Sequence, residues 1–183
     1  MIELDPIWSP RSQQQNFRCL LQAIARPGLA QSLPEPGSEG AMLAVLASLM
    51  DGEVTLSDQD QLLEATSWPL LQSLAKAPEV ADFVLCRGDL PPSIEPRLGT
   101  LVSPEASATL LLQVNSVSCG DLKLRFTGPG VDGEVQAEVG GLHSGWLRQR
   151  QLWTAGFPLG VDLFLVDQLS VLGIPRTTHV EVC

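Results

Sequence analysis

Apolar and polar positions along the chain predict an intermixed series of helices and strands. "SPRSQQQNFRCLLQAIARPG" (9–28) is the clearest helix, because Phe17, Leu20, Leu21 and Ile24 recur at i, i+3, i+4 and i+7 and share one face. Ser9 ahead of Pro10, or Ser12 with Gln15 as a capping box, can begin it, and Pro27 and Gly28 end it. "AMLAVLASLM" (41–50) is apolar almost all round and predicts a buried helix. A short strand is expected at 53–57. Ser57 with Asp60 is expected to cap a short helix through Leu62 and Leu63, and Ser67 with Pro69 to open another through Leu70, Leu71 and Leu74.

"ADFVLCRG" (81–88) reads as a buried strand closed by Gly88, and the four-proline stretch 88–106 reads as a loop ordered by what it packs against. "ATLLLQV" (108–114) is a continuous apolar run, the pattern of a central strand covered on both faces. "LKLRFTG" (122–128) alternates, with Leu122, Leu124 and Phe126 opposite Lys123 and Arg125. "SGWLRQRQLWTAG" (144–156) predicts a helix whose Trp146 and Trp153, seven apart, share a face and are expected in the core. "VDLFLV" (161–166) and "LSVLGIP" (169–175) predict two strands joined around Asp167 and Gln168, and "THVEV" (178–182) a last one. Together these predict an α/β layered fold with a central mixed sheet. No repeat or low-complexity linker divides it, so residues 1–183 are expected to form a single α/β domain.

Composition then limits the chemistry. A net charge of −10 argues against a protein that grips nucleic acid or an anionic membrane by itself. Cys19, Cys86, Cys119 and Cys183 form no C-x-x-C, so neither a zinc knuckle nor a redox pair is indicated. The start, "MIELDPIWSPRSQQQ", has no basic segment followed by an apolar core, so no signal peptide is expected. No stretch approaches the roughly 18 apolar residues of a membrane helix. The expectation is a cytoplasmic protein with reduced thiols. His143 and His179 are the only histidines, Lys76 and Lys123 the only lysines, and there is no tyrosine, which leaves few groups for acid–base or Schiff-base work.

Two stretches carry candidate chemistry. "TGPG" (127–130) follows a strand and could present backbone N–H groups to phosphate, but no G-K-[ST] follows, and a tight turn needing positive φ at Gly128 or Gly130 accounts for it. "RTTHVEV" (176–182) offers Arg176 as a bidentate anion clamp and His179 as an acid or base. Its alternation equally suits an edge strand, with Thr178, Val180 and Val182 on one side and Thr177, His179 and Glu181 on the other. Lys76, at a predicted helix end, and Lys123, on the polar side of a strand, read as solvated lysines, so no pyridoxal phosphate or other cofactor is expected. His143 reads as a loop or helix-start residue, with no spacing for a metal site.

"FPLGVDL" (157–163) followed by "IPRTTHVEV" (174–182), with "PEASATLLLQV" (104–114), "RFTGPGV" (125–131) and "NFRCLLQAIARPG" (16–28), resembles the PhnH family, one of the subunit types of the bacterial carbon–phosphorus lyase system that degrades phosphonates. The resemblance runs from about residue 13 to the C-terminus and is most specific in the last block. It implies a fold resembling pyridoxal-phosphate-dependent transferases without their cofactor site. It implies a homodimer in isolation that joins G-, I- and J-type subunits, closest to the J type. That assembly forms ribose 1-methylphosphonate 5-triphosphate from ATP with release of adenine, the PhnH-type member being required and structural. No catalytic residue carries over from the resemblance. The terminal motif then has two readings: an interface with Arg176 and Glu181 in fixed ion pairs, or Arg176 and His179 lent to a composite phosphate site. A stand-alone nucleotide- or phosphonate-binding protein, using the Gly128–Gly130 turn and Arg176, is the alternative.

Overall fold

A computed structural model of the chain describes residues 5–183, so the first four residues of the start, where no signal peptide is expected, lie outside it. Helix α1 (Pro10–Ala25) begins as expected: Ser9 Oγ accepts from the Ser12 N–H at 3.2 Å, with Pro10 in the first position. Its buried face is Ser12, Asn16, Leu20 and Ala23, whereas Phe17 and Leu21, expected inside, are exposed. Two contacts decide this. Ala23 lies so close to β9 (Ser170–Ile174) that a Cβ on Gly173 would sit 2.6 Å from the Ala23 carbonyl oxygen. Asn16 is buried because its amide donates to the Glu35 carbonyl at 2.8 Å, tying the helix to the following segment.

After the two-residue strand β1 (Gln31–Ser32), α2 (Ala41–Leu49) forms as expected, with seven of its nine residues buried. Strand β2 (Thr55–Asp58) follows, but no helix runs over 57–63. Asp58 instead accepts from the backbone N–H groups of Leu62 and Leu63 at 2.9 and 3.0 Å, satisfying them without a helix. The next helix, α3 (Trp68–Leu71), stops short of Leu74 because Gln72 turns left-handed at φ 56°, and Leu74 enters the edge strand β3 (Leu74–Ala75).

Strands β4 (Phe83–Arg87), β5 (Thr109–Gln113) and β8 (Asp162–Val166) complete a seven-stranded mixed sheet in the order β1-β9-β8-β5-β4-β2-β3. The run β8 to β3 is parallel, and β9 and β1 add antiparallel pairings. Leu110 and Leu112 face one apolar layer and Leu111 the other, as the continuous run predicted. One layer lies under α1 and α2. The other is covered by α4 (Gly145–Thr154), with Trp146 and Trp153 buried, and by a second sheet. That sheet is antiparallel, in the order β10-β6-β7, built from β6 (Leu122–Thr127), β7 (Val135–Val139) and β10 (His179–Val182). No helix among the described residues is long and apolar enough to cross a membrane.

Candidate functional site

Arg176 sits at the end of β9, just before β10, and its side chain spans three segments. Nε and Nη2 reach both oxygens of Asp162, the nearer at 2.6 Å. Nη2 also donates to the Ser107 hydroxyl, and Nη1 to the carbonyls of Pro104 at 2.8 Å and Pro158 at 3.5 Å. The Asp162 carboxylate accepts the backbone N–H of Arg176 as well, at 2.7 Å. A guanidinium has five N–H donors, and these contacts take all five.

His179 and Glu181 lie elsewhere, on the outer side of β10. Glu181 is opposite Arg125 of β6 and pairs with it, while His179 Nε2 approaches Glu181 Oε1 at 3.2 Å. The Arg125 guanidinium, with His179 beside it, holds the Glu181 carboxyl below its ordinary value. No hydrogen bond or ion pair joins Arg176 to His179 among the described residues. Thr178 and Val180 are buried on the other side, as the alternation predicted, but Val182 is exposed at the strand end.

Gly128 and Gly130 adopt φ of +113° and +82°, and the Val131 N–H closes the turn onto Gly128 O at 3.1 Å. A Cβ on Gly130 would lie 2.5 Å from the Ala25 carbonyl oxygen, and one on Gly128 3.2 Å from that of Thr177. The turn is thus packed between the end of α1 and the terminal motif. Lys76 is exposed, Lys123 pairs with Glu138 at 3.3 Å, and His143 Nδ1 accepts the Gly145 N–H at 3.1 Å.

Two features went unread in the sequence. Arg150, 3% exposed, donates from Nη2 to the carbonyls of Pro175 and Thr178, the latter at 3.0 Å. Burial lowers its pKa to about 10, Asp162 opposing the shift. Its place four residues after Trp146 and three before Trp153 puts it on their buried face, and that spacing was the available signal. The second feature is a cleft of about 460 Å³ at the carboxyl ends of the parallel strands, where open α/β sheets take ligands. Glu39, Asp60, Asp89 and Asp167 line it with one guanidinium, Arg87, which is paired to Asp89 at 2.6 Å. This excess of carboxylates repels a phosphate, while Gln113, Asn115 and Gln168 offer amides to a neutral ligand. Cys86 lies beside the cleft, but burial and then Asp60 and Asp58 push its thiol up to about 12, so it is no nucleophile at neutral pH.

These features define a mixed α/β protein whose arginines brace its own loops and whose open cleft is acidic. The chain belongs to the bacterial phosphonate metabolism protein family, PhnH, whose model matches residues 7–181. It is similar to a putative C-P lyase subunit protein, HtxG, of Stutzerimonas stutzeri, 40% identical over 176 residues that cover 96% of this chain and 89% of that one. It is also similar to the alpha-D-ribose 1-methylphosphonate 5-triphosphate synthase subunit PhnH of Rhizobium meliloti (strain 1021), 30% identical over 192 residues covering 97% and 92%.

Proposed function

We propose that this chain is a subunit of a carbon–phosphorus lyase assembly in phosphonate catabolism, supporting ATP-dependent formation of ribose 1-methylphosphonate 5-triphosphate with release of adenine. The observation that carries this reading is the match to PhnH over nearly the whole chain, together with two relatives that are both named as subunits. Its share is structural rather than catalytic. The engagement of every Arg176 donor within the chain supports that, because a phosphonate oxygen could be bound there only by breaking an existing bond. The terminal motif is then an interface organiser, with Arg176 and Glu181 in fixed ion pairs. The reading includes one domain working in the cytoplasm, a homodimer in isolation, and G-, I- and J-type partners with the J type nearest. It also includes kinship with the pyridoxal-phosphate transferase fold, for which the largely parallel run of the central sheet is the one supporting feature. Co-expression with those partners should give a stoichiometric complex by light scattering. No complex under conditions where the sister subunits assemble would overturn the reading.

The alternative, a stand-alone binder of nucleotide or phosphonate, must use the Gly128–Gly130 turn and Arg176, because the carboxylates of the cleft over β4, β5 and β8 repel phosphate. It requires calorimetric heat from the isolated chain with millimolar ATP or methylphosphonate, reduced sharply in Arg176→Ala. Absence of heat removes it.

A further inference from the structure

The cleft of about 460 Å³ at the carboxyl ends of β4, β5 and β8 holds two kinds of polar side chain in opposite conditions. Its carboxylates are engaged within the chain. Both oxygens of Asp89 accept from Arg87, at 3.0 and 2.6 Å. Asp167 accepts the N–H groups of Val117, Leu169 and Ser170 at 3.0, 2.9 and 2.7 Å. Glu39 and Asp60 each use one oxygen, for the Ser67 hydroxyl at 2.9 Å and the Arg87 N–H at 2.7 Å. Each therefore keeps its other oxygen for an outside donor. The amides of Gln113, Asn115 and Gln168 make no hydrogen bond to the chain among the described residues. Two of them are nonetheless held in place. A Cβ on Gly40 would lie 2.5 Å from Gln168 Nε2, and one on Gly141 2.6 Å from Asn115 Cγ. Both glycines have positive φ, +91° and +73°. Each amide is thus seated against bare backbone that only glycine leaves open, with its donors and acceptor available.

The chemistry of these groups selects a ligand. A carboxamide presents a donor beside an acceptor, and the edge that matches it is that of adenine, where the 6-amine adjoins N7. A free carboxylate oxygen suits the second proton of that amine. Met42, Leu62, Val114 and Val166 add apolar wall for the faces of a ring, and the volume is in the range of small-molecule sites. Charge then chooses among the species that the proposed assembly handles. ATP, methylphosphonate and the ribosyl triphosphate are anions, which the cleft repels. Adenine is the uncharged one.

We infer that this cleft is an adenine site, in which the Asn115 and Gln168 carboxamides and the free oxygens of Glu39 and Asp60 take the hydrogen-bonding edges of the base. This rests on the subunit reading above, in which adenine is the released product. Adenine titrated calorimetrically into the full chain should give saturable heat at millimolar ligand or below. Asn115→Leu and Gln168→Leu, at exposed positions, should keep the wild-type thermal melt and each weaken binding about tenfold. Gln14→Leu, on the exposed side of α1, should bind as wild type. Hypoxanthine, with a carbonyl in place of the amine, should bind about tenfold more weakly, because the carboxylates then face an acceptor. No heat from millimolar adenine would overturn the site, as would wild-type affinity in both leucine variants of the cleft. Equal binding of hypoxanthine, or heat from ribose in place of adenine, would overturn the stated ligand. A complex that assembles with the G-, I- and J-type partners around a chain blind to adenine would leave the subunit reading standing. A chain that binds adenine as described but joins no sister subunit by light scattering would overturn that reading and keep the site.

Discussion

Arg150 reaches through the core to the carbonyl of Thr178, donating from Nη2 at 3.0 Å, and the same nitrogen serves the carbonyl of Pro175. Pro175 and Thr178 bound a tight turn, closed by the Thr178 N–H on Pro175 O at 2.9 Å. From within that turn Arg176 reaches Asp162 and the loops at Pro104 and Pro158. One guanidinium therefore fixes the turn to α4, and the other fixes two surface loops to the turn. The turn in its place delivers β10 onto β6, completing the second sheet. "PRTT" is thus the junction of two sheets and a helix, which is why an ordered polar strand follows it.

Arg150→Met should lower stability by about 2 kcal/mol. Removing a buried charge returns desolvation, but two backbone carbonyls lose a charged donor worth more than that return. The measurement is urea unfolding, with the slope unchanged from wild type. Wild-type stability in Arg150→Met would mean that the carbonyls are satisfied without the guanidinium.

Arg176→Lys should fail to restore what Arg176→Ala loses. An ammonium keeps the charge for Asp162 but cannot span Ser107, Pro104 and Pro158 in one planar fork. Both variants should unfold about 2 kcal/mol more easily. In both, amides at 100–103 should exchange faster with solvent, because those residues are held through Pro104. Unchanged exchange at that turn would separate Arg176 from loop order.

The central sheet was legible because strands buried on both faces read as apolar runs, as in Leu110–Leu112 and Leu163–Val166. The terminal strand was legible from its alternation. The buried face of α1 was not, because Asn16 and Ala23 face inward through a hydrogen bond and a close backbone approach that hydropathy does not record. The helix expected over 57–63 was displaced by the Asp58 side chain, a local competitor for the same backbone donors. Strand β7 was missed although Val135, Ala137 and Val139 alternate with Gln136 and Glu138, because Ala137 weakens the pattern. The partners of Arg176 lie 14, 18, 69 and 72 residues away in sequence, beyond any spacing rule.

Gly173→Ala should destabilise by about 2 kcal/mol, from sterics alone. The added Cβ would sit 2.6 Å from the Ala23 carbonyl oxygen, so α1 must lift from β9. Gly52→Ala is the control, since nothing lies within 4 Å of its Cβ position, and it should be neutral or slightly stabilising. Equal effects of the two substitutions in thermal unfolding would show that the helix–sheet approach at Gly173 is not tight.

Cys86 should make the fold sensitive to alkali. Its thiol lies in β4, where burial, with Asp60 and Asp58 nearby, raises its pKa from 9.0 to about 12. Between those values the unfolded chain has released the thiol proton and the folded chain has kept it. The unfolded state then binds fewer protons, so stability falls as the pH rises through that window and is unaffected by this group below it. The slope approaches about 1.4 kcal/mol per pH unit for one group. Arg150 works in the opposite direction, because its lowered pKa leaves the unfolded chain the better proton binder above about 10. The difference between wild type and Cys86→Ala cancels that second contribution. Stability measured by urea unfolding from pH 8 to 10 should therefore converge, with Cys86→Ala losing less than wild type as pH rises. Parallel curves across that range would place the Cys86 thiol at an ordinary pKa and in contact with solvent.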